Sequence, residues 1–132
     1  MHDPDAPSPT RRYRYTRAHR LSGSRAYQRV FDNKLRKSAG PLAVLAAPVD
    51  LPHHRLGLVV SRRVGNAVRR HQIKRMLREA FRLNQHDWPG AYDVVVIVYR
   101  HDKMPLDGYA RLLGRAVKQV HAVAERRGQK EG

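Results

Sequence analysis

Residues 55–82 read RLGLVVSRRVGNAVRRHQIKRMLREAFR. The hydrophobic period changes inside this stretch. Leu56, Leu58, Val59 and Val60 make a short apolar run, which predicts a strand over 56–61. Gly65-Asn66 ends the run, and Asn66 is a suitable N-cap for a helix reaching about Asn84. On a wheel at 100° per residue, Ile73, Met76, Leu77, Ala80 and Phe81 share one arc of roughly 140°. Lys74, Arg75, Arg78 and Arg82 occupy the facing side, with His71 among them. A strand followed by a helix with one apolar and one cationic face needs a sheet to bury the first and a ligand or solvent to meet the second.

The flanks supply that sheet. Trp88-Pro89-Gly90 breaks the chain, and Tyr92–Tyr99 (YDVVVIVY) is the strongest strand signal present. Its near-continuous apolar centre suggests burial on both faces. Leu42–Ala47, after Gly40-Pro41, is another strand, and Pro48–His54 is a loop with two prolines. Upstream, Tyr27, Val30 and Phe31 at i, i+3 and i+4 predict a short helix capped by Ser22 or Ser24. Downstream, Asp107 is positioned to cap a last helix through about Arg126, with Tyr109, Leu113, Ala116, Val117 and Val120 at helical spacing. The expected fold is an α+β sandwich: a small mixed sheet of three or four strands packed with three helices. The expected organisation is a basic arm over residues 1–17, one domain over 18–126 and a flexible tail over 127–132.

The 132 residues include 27 Lys and Arg against 11 Asp and Glu, a formal charge of +16. Half of that excess lies in residues 55–82, where nine basic residues face only Glu79. Residues 11–20 add five arginines and no acid, and Arg11–Arg17 interleave with Tyr13 and Tyr15. Such an arm either contacts phosphates and stacks on unpaired bases or remains a solvated tail. A patch of this density points to a polyanion, and nine cations against one acid favour nucleic acid. Spacing alone does not choose RNA over DNA.

Other classes are excluded more easily. With no cysteine, disulfide scaffolds, thiolate metal sites and cysteine nucleophiles are impossible. No apolar run approaches a membrane span, and the polar, proline-rich start lacks a signal-peptide core, which leaves a cytoplasmic protein as the expectation. Asp87, Asp93, Asp102 and Asp107 are scattered over loops and element ends, unlike a metal-dependent nuclease cluster. The eight histidines show no ligand spacing, and no glycine-rich phosphate loop occurs. Ser61, between a strand and a basic turn, is placed either to bind a phosphate or to cap the strand. No catalytic residue and no protein-borne metal site are expected.

One stretch goes beyond composition. Arg55–Val68, followed by Arg70, Ile73-Lys74-Arg75, Leu77-Arg78-Glu79 and Phe81-Arg82, resembles the protein subunit of bacterial ribonuclease P. The family signature runs close to V-S-K-K-V-G-N-A-V-x-R-N-R-I-K-R-x-L-R-E. Arg20-Leu21, Tyr27, Val30 and Phe31 resemble its opening, and Tyr92–Val96 its later strand. The resemblance covers about residues 18–125. Two positions depart from it: His71 and Gln72 stand where the family has Asn-Arg. Arg62 and Arg63 stand where it has lysines.

The resemblance implies a subunit that binds a catalytic RNA and helps it remove the 5′ leader of precursor tRNA, with magnesium ions held by the RNA. It implies RNA contacts at Arg62, Arg63, Asn66, Arg70, His71, Lys74, Arg75, Arg78 and Arg82. It also implies a leader cleft between the first helix and the sheet, with Tyr27 and Phe31 as stacking groups and Leu45 and Ser61 on the neighbouring strands. A left-handed crossover around the basic helix, rare among folds, belongs to the same implication. No membrane and no obligate protein partner are expected. From size and charge alone, a basic ribosomal protein or ribosome-assembly factor fits equally well. The extended signature is what favours the first reading.

Overall fold

The computed structural model describes residues 15–131. Its elements, in chain order, are α1 (Ser24–Asp32), β1 (Arg36–Ala39), β2 (Leu42–Pro48), β3 (Arg55–Val60), α2 (Ala67–Asn84), β4 (Tyr92–Val98) and α3 (Leu106–Glu131). The strands form one sheet in the order β1-β2-β4-β3. Strands β1, β2 and β4 pair antiparallel, whereas β3 runs parallel to β4. The expected α+β sandwich is therefore what forms, with four strands and three helices.

Strand β4 is central, which is why its apolar run is nearly unbroken. Val94, Val95 and Val96 are all fully buried, and β2 is buried from Leu42 to Ala47. Cross-strand pairing puts Val44, Leu58, Val94 and Val96 on one face, where Ile73, Leu77 and Phe81 of α2 and Leu113 and Val117 of α3 cover them. Ala43, Leu45, Gly57, Val95 and Ile97 lie on the other face, where α1 brings Tyr27 and Val30. One helix covers only part of that face.

Strand β1 is a separate strand that periodicity does not reveal, because Arg36-Lys37-Ser38-Ala39 has no apolar alternation. As an edge strand it can carry cations, which also discourage pairing with other chains. Gly40-Pro41 links it to β2, and Gly40 takes φ 55° at the first turn position, as a two-residue hairpin demands.

Three ends differ from expectation. Neither Ser22 nor Ser24 caps α1: Gly23 holds the N-cap with φ 90° and no side-chain bond. Leu21 N–H is tied to Leu56 O at 2.9 Å, and Gly23 makes the turn from that tie into the helix. Helix α3 begins at Leu106, so Asp107 lies in its first turn and pairs with Arg111 at 3.4 Å rather than capping. At its other end α3 continues to Glu131, past the expected stop at Arg126. Arg127 there donates to Asn33 O and Lys34 O at 3.0 and 3.1 Å, tying the end of α3 to the end of α1.

Asp93 fastens α1 to the sheet. It is fully buried, and Arg55 from β3 grips it through two bonds of 2.6 and 2.7 Å. Arg29 of α1 donates to the same carboxylate and to Pro48 O. A charge sealed in this way holds the helix at one angle, because breaking the cluster would leave a buried carboxylate unpaired.

Candidate nucleic-acid interface

The turn Arg62–Val64 leads from β3 into α2 and leaves Arg62 and Arg63 exposed. Asn66 is the N-cap, its Oδ1 accepting the Arg69 N–H at 2.9 Å. Its carbonyl-type oxygen is committed to the helix, so its first role is to start α2. Arg70 is half-buried, and its Nε donates to Gly65 O at 3.3 Å. That bond holds its guanidinium beside the helix start, where exposed backbone N–H groups favour an anion.

Further along α2, His71 and Arg75 are exposed, and Lys74 and Arg78 are half-buried. Arg82 donates through Nε to Glu79 at 3.0 Å and forms a second bond to the same carboxylate. The pair holds the Glu79 carboxyl below its usual range through hydrogen bonding to Arg82. The α2 face therefore loses much of the charge expected at Arg82. Arg78 stands one turn beyond both Lys74 and Arg75 with no acid between them, an arrangement that weakens an isolated helix and suits a bound polyanion.

The structure joins two groups of residues that sequence reasoning kept apart. A hollow of about 300 Å³ is lined by Tyr27 of α1, Gly57 and Leu58 of β3, and Lys74 and Arg78 of α2. Tyr15 and Arg20 complete it. Tyr15 belongs to the expected arm, yet its ring meets Phe81 edge-on at 5.8 Å and lies over His19 at 6.2 Å. Burial pushes its hydroxyl pKa up, while the Arg78 guanidinium that it hydrogen-bonds pulls the other way. Tyr15 is thus part of the packed chain, and the rest of the arm, residues 1–14, lies outside the described residues. The alternation of Arg and Tyr in residues 11–17 was the signal for this ring, but not for where it packs.

Tyr27 can lie flat on the sheet because residue 57 has no side chain. A Cβ placed on Gly57 would come within 2.6 Å of the Tyr27 hydroxyl oxygen and 2.7 Å of the ring. Phe31, on the same side of α1 one turn later, is 36% exposed and so is available for contact. Leu45 is not: it is 6% exposed, sealed beneath α1 among Val30, Ala47 and Val95. A second hollow, of about 310 Å³, opens where β3 and β4 end, lined by Val59, Ser61, Arg63, Ile97 and Tyr99. Ser61 faces solvent there and caps nothing by its side chain. Tyr99 is half-exposed and held by Arg36 through a 2.9 Å bond to its hydroxyl. Nothing in the spacing marked Tyr99 or Arg36, because they meet across β2.

Among the described residues no group of three or more His, Asp or Glu side chains is placed to hold a metal ion. No described helix is long and apolar enough to cross a membrane.

Residues 15–121 match the family model described as Ribonuclease P. The chain belongs to the ribonuclease P protein family. It is 48% identical over 81 residues to the ribonuclease P protein component of Syntrophobacter fumaroxidans, covering 61% of this chain and 68% of that one. It is 43% identical over 94 residues to the ribonuclease P protein component of Methylococcus capsulatus, covering 70% and 73%. The solved ribonuclease P protein of Thermotoga maritima superposes with a TM-score of 0.68 at 28% identity, covering 76% of this chain and 96% of that one. The chain is accordingly a subunit of the ribonuclease P ribonucleoprotein enzyme, which acts in tRNA processing.

Proposed function

We propose that this chain binds the catalytic RNA of ribonuclease P through Arg62, Arg63 and the α2 face formed by Arg70, His71, Lys74, Arg75 and Arg78. It binds the single-stranded 5′ leader of precursor tRNA in the hollow between α1, β3 and α2, and so promotes 5′ maturation in the cytoplasm. The observation that carries this reading is the convergence of Tyr27 and Tyr15 with Lys74 and Arg78 around one hollow. Rings that can stack on unpaired bases, set beside cations that can hold the intervening phosphates, are what a single strand requires. Phe31 and Ser61 extend the same surface, and Leu45 supports it from below. Asn66 acts by starting α2, and Arg82 contributes less because Glu79 shares its charge. Magnesium enters through the RNA partner, whose phosphates hold it, and the RNA supplies the reacting groups.

Reconstitution tests this. The full chain, a bacterial ribonuclease P RNA and a precursor tRNA are combined over a magnesium series, with the RNA alone as control. The chain is expected to lower the magnesium needed for cleavage. Tyr27→Ala is expected to weaken binding of precursor more than of mature tRNA. Equal weakening of both would remove the leader from the proposal, and no effect of the chain on cleavage would overturn it.

A further inference from the structure

The outer face of α3 carries a cationic stripe that the proposed interface does not use. At 100° per residue, Arg111, Arg115, Lys118 and Arg126 fall within an arc of roughly 80°. Tyr109, Leu113, Ala116, Val117 and Val120 are buried on the opposite side, which aims the stripe straight away from the sheet. All four cations are exposed. Arg111 has a loose contact with Asp107 at 3.4 Å, between side chains 73% and 79% exposed, and Glu125 is engaged by His121 at 3.7 Å. Among the described residues, Arg115, Lys118 and Arg126 have no ion-pair partner.

A helix face kept only for solubility gains from mixing signs. This one sets Arg111 against Arg115 at i, i+4 and Arg115 against Lys118 at i, i+3, and both spacings repel. With a rise of 1.5 Å per residue, Arg111 and Arg126 stand about 22 Å apart along the axis, enough to track several phosphates. Of the other described residues on or beside that arc, Gly108, Ala122 and Gln119 offer no ring for stacking, and Asp107 and Glu125 border one side of it, so contact here would go to the backbone rather than to bases.

The stripe is also distinct from the α2 face. Lys74 and Arg78 open toward Arg20 and Gly57, on the β3 side. Gln72, Arg75, Met76, Glu79 and Leu106 line the hollow between α2 and α3, where Glu79 sets an acid beside Arg75. We propose that the outer face of α3 is a second, sequence-independent docking surface for the phosphate backbone of RNA. One chain can then hold two RNA segments, one on α2 and one on α3. This goes beyond the α2 interface, and it survives or fails separately from the leader reading.

The test compares three full-length chains: unmodified, an α2 variant (Lys74→Gln, Arg75→Gln, Arg78→Gln) and an α3 variant (Arg111→Gln, Arg115→Gln, Lys118→Gln, Arg126→Gln). Binding to labelled ribonuclease P RNA is measured over a salt series. Bridging is read as energy transfer between two short RNA duplexes carrying different dyes. The α3 variant is expected to flatten the log–log salt slope by about three, at roughly 0.7 per lost contact. It should lose bridging while keeping one-duplex binding, and its melting temperature should equal or exceed that of the unmodified chain. The α2 variant should also lose bridging but keep the α3 share of the slope. Should the fourfold variant fail to fold, Arg115→Gln and Lys118→Gln tested singly carry the measurement, each flattening the slope by about 0.7. An unchanged slope with bridging retained would overturn the proposal and leave the stripe as a solvated face. Loss of cleavage stimulation with both slopes intact would instead count against the function proposed above.

Discussion

Replacing Gly57 by alanine adds one methyl group to β3 at the point where the Tyr27 ring rests. The added carbon would lie 2.6 Å from the tyrosine oxygen, 2.7 Å from Cζ and 2.9 Å from Cε1. Carbon atoms settle at about 3.5–4.0 Å, so the ring must withdraw by about 1 Å. Tyr27 packs against a cluster with Val30, Leu45 and Val95, and α1 itself is held by the Arg29–Asp93 ion pair. The ring therefore withdraws at a cost, and overpacking of this kind is worth about 1–3 kcal/mol. Against it stands the gain from removing a glycine from a strand interior, about 0.5–1 kcal/mol. Gly57→Ala should thus lower stability by about 1–2 kcal/mol net. In a Tyr27→Ala background the clash is gone and only the gain remains, so the same substitution should raise stability by about 0.5–1 kcal/mol. Urea denaturation of the four chains of this cycle measures both numbers. Equal effects of Gly57→Ala in the two backgrounds, within about 0.5 kcal/mol, would refute the claim that the ring is what requires glycine. In the native background Gly57→Ala should also weaken precursor binding more than mature tRNA binding, because the displaced ring narrows the hollow.

Asp93→Asn keeps the shape but removes the charge that Arg29 and Arg55 share. Because both guanidiniums remain partly hydrated, the loss should sit near the lower end for a broken buried pair, about 3 kcal/mol by urea denaturation, and a loss under about 1 kcal/mol would show that α1 is held otherwise. His54 is buried and its pKa lowered, chiefly by burial; its Nδ1 accepts the Tyr92 N–H at 3.0 Å, so the ring is neutral. With the folded pKa below the unfolded one, its contribution is complete above about pH 6.5 and is lost as pH falls through the lowered value. Unfolding midpoints measured from about pH 7 downward should fall more steeply in the native chain than in His54→Gln, and parallel curves would discount this histidine. Asn66→Ala should cost about 1 kcal/mol of stability through the lost cap and leave the salt slope of RNA binding unchanged. Arg78→Gln should do the reverse, flattening that slope by about 0.7 with little loss of stability.

Much of the fold was legible because apolar period and turn chemistry are local. The change of period across residues 55–82 marked β3 and α2, and Asn66 was placed as a cap by its position before the first apolar-periodic residue. The central place of β4 followed from its unbroken valines. What was missed depends on partners distant in sequence. Strand β1 carries no apolar alternation and is a strand only because β2 offers it an edge. The Ser22 or Ser24 cap failed because Leu21 is tied to β3, which leaves Gly23 to make the turn. Leu45 looked available on a strand, but α1 covers that face.

By itself, then, the sequence determined where the three helices and every strand but β1 lie, short of some of their ends, that the chain is strongly cationic and which helix face bears most of that charge. These are properties of neighbours within one or two turns, and periodicity records them directly. Only the tertiary structure decided that Tyr27, Tyr15, Lys74 and Arg78 share one hollow, that Glu79 takes up Arg82, and that α3 presents a separate cationic face. The residues of that hollow span more than sixty positions of chain. Their meeting depends on how the sheet orders its strands and on one missing Cβ, at Gly57, that lets an aromatic ring settle onto it.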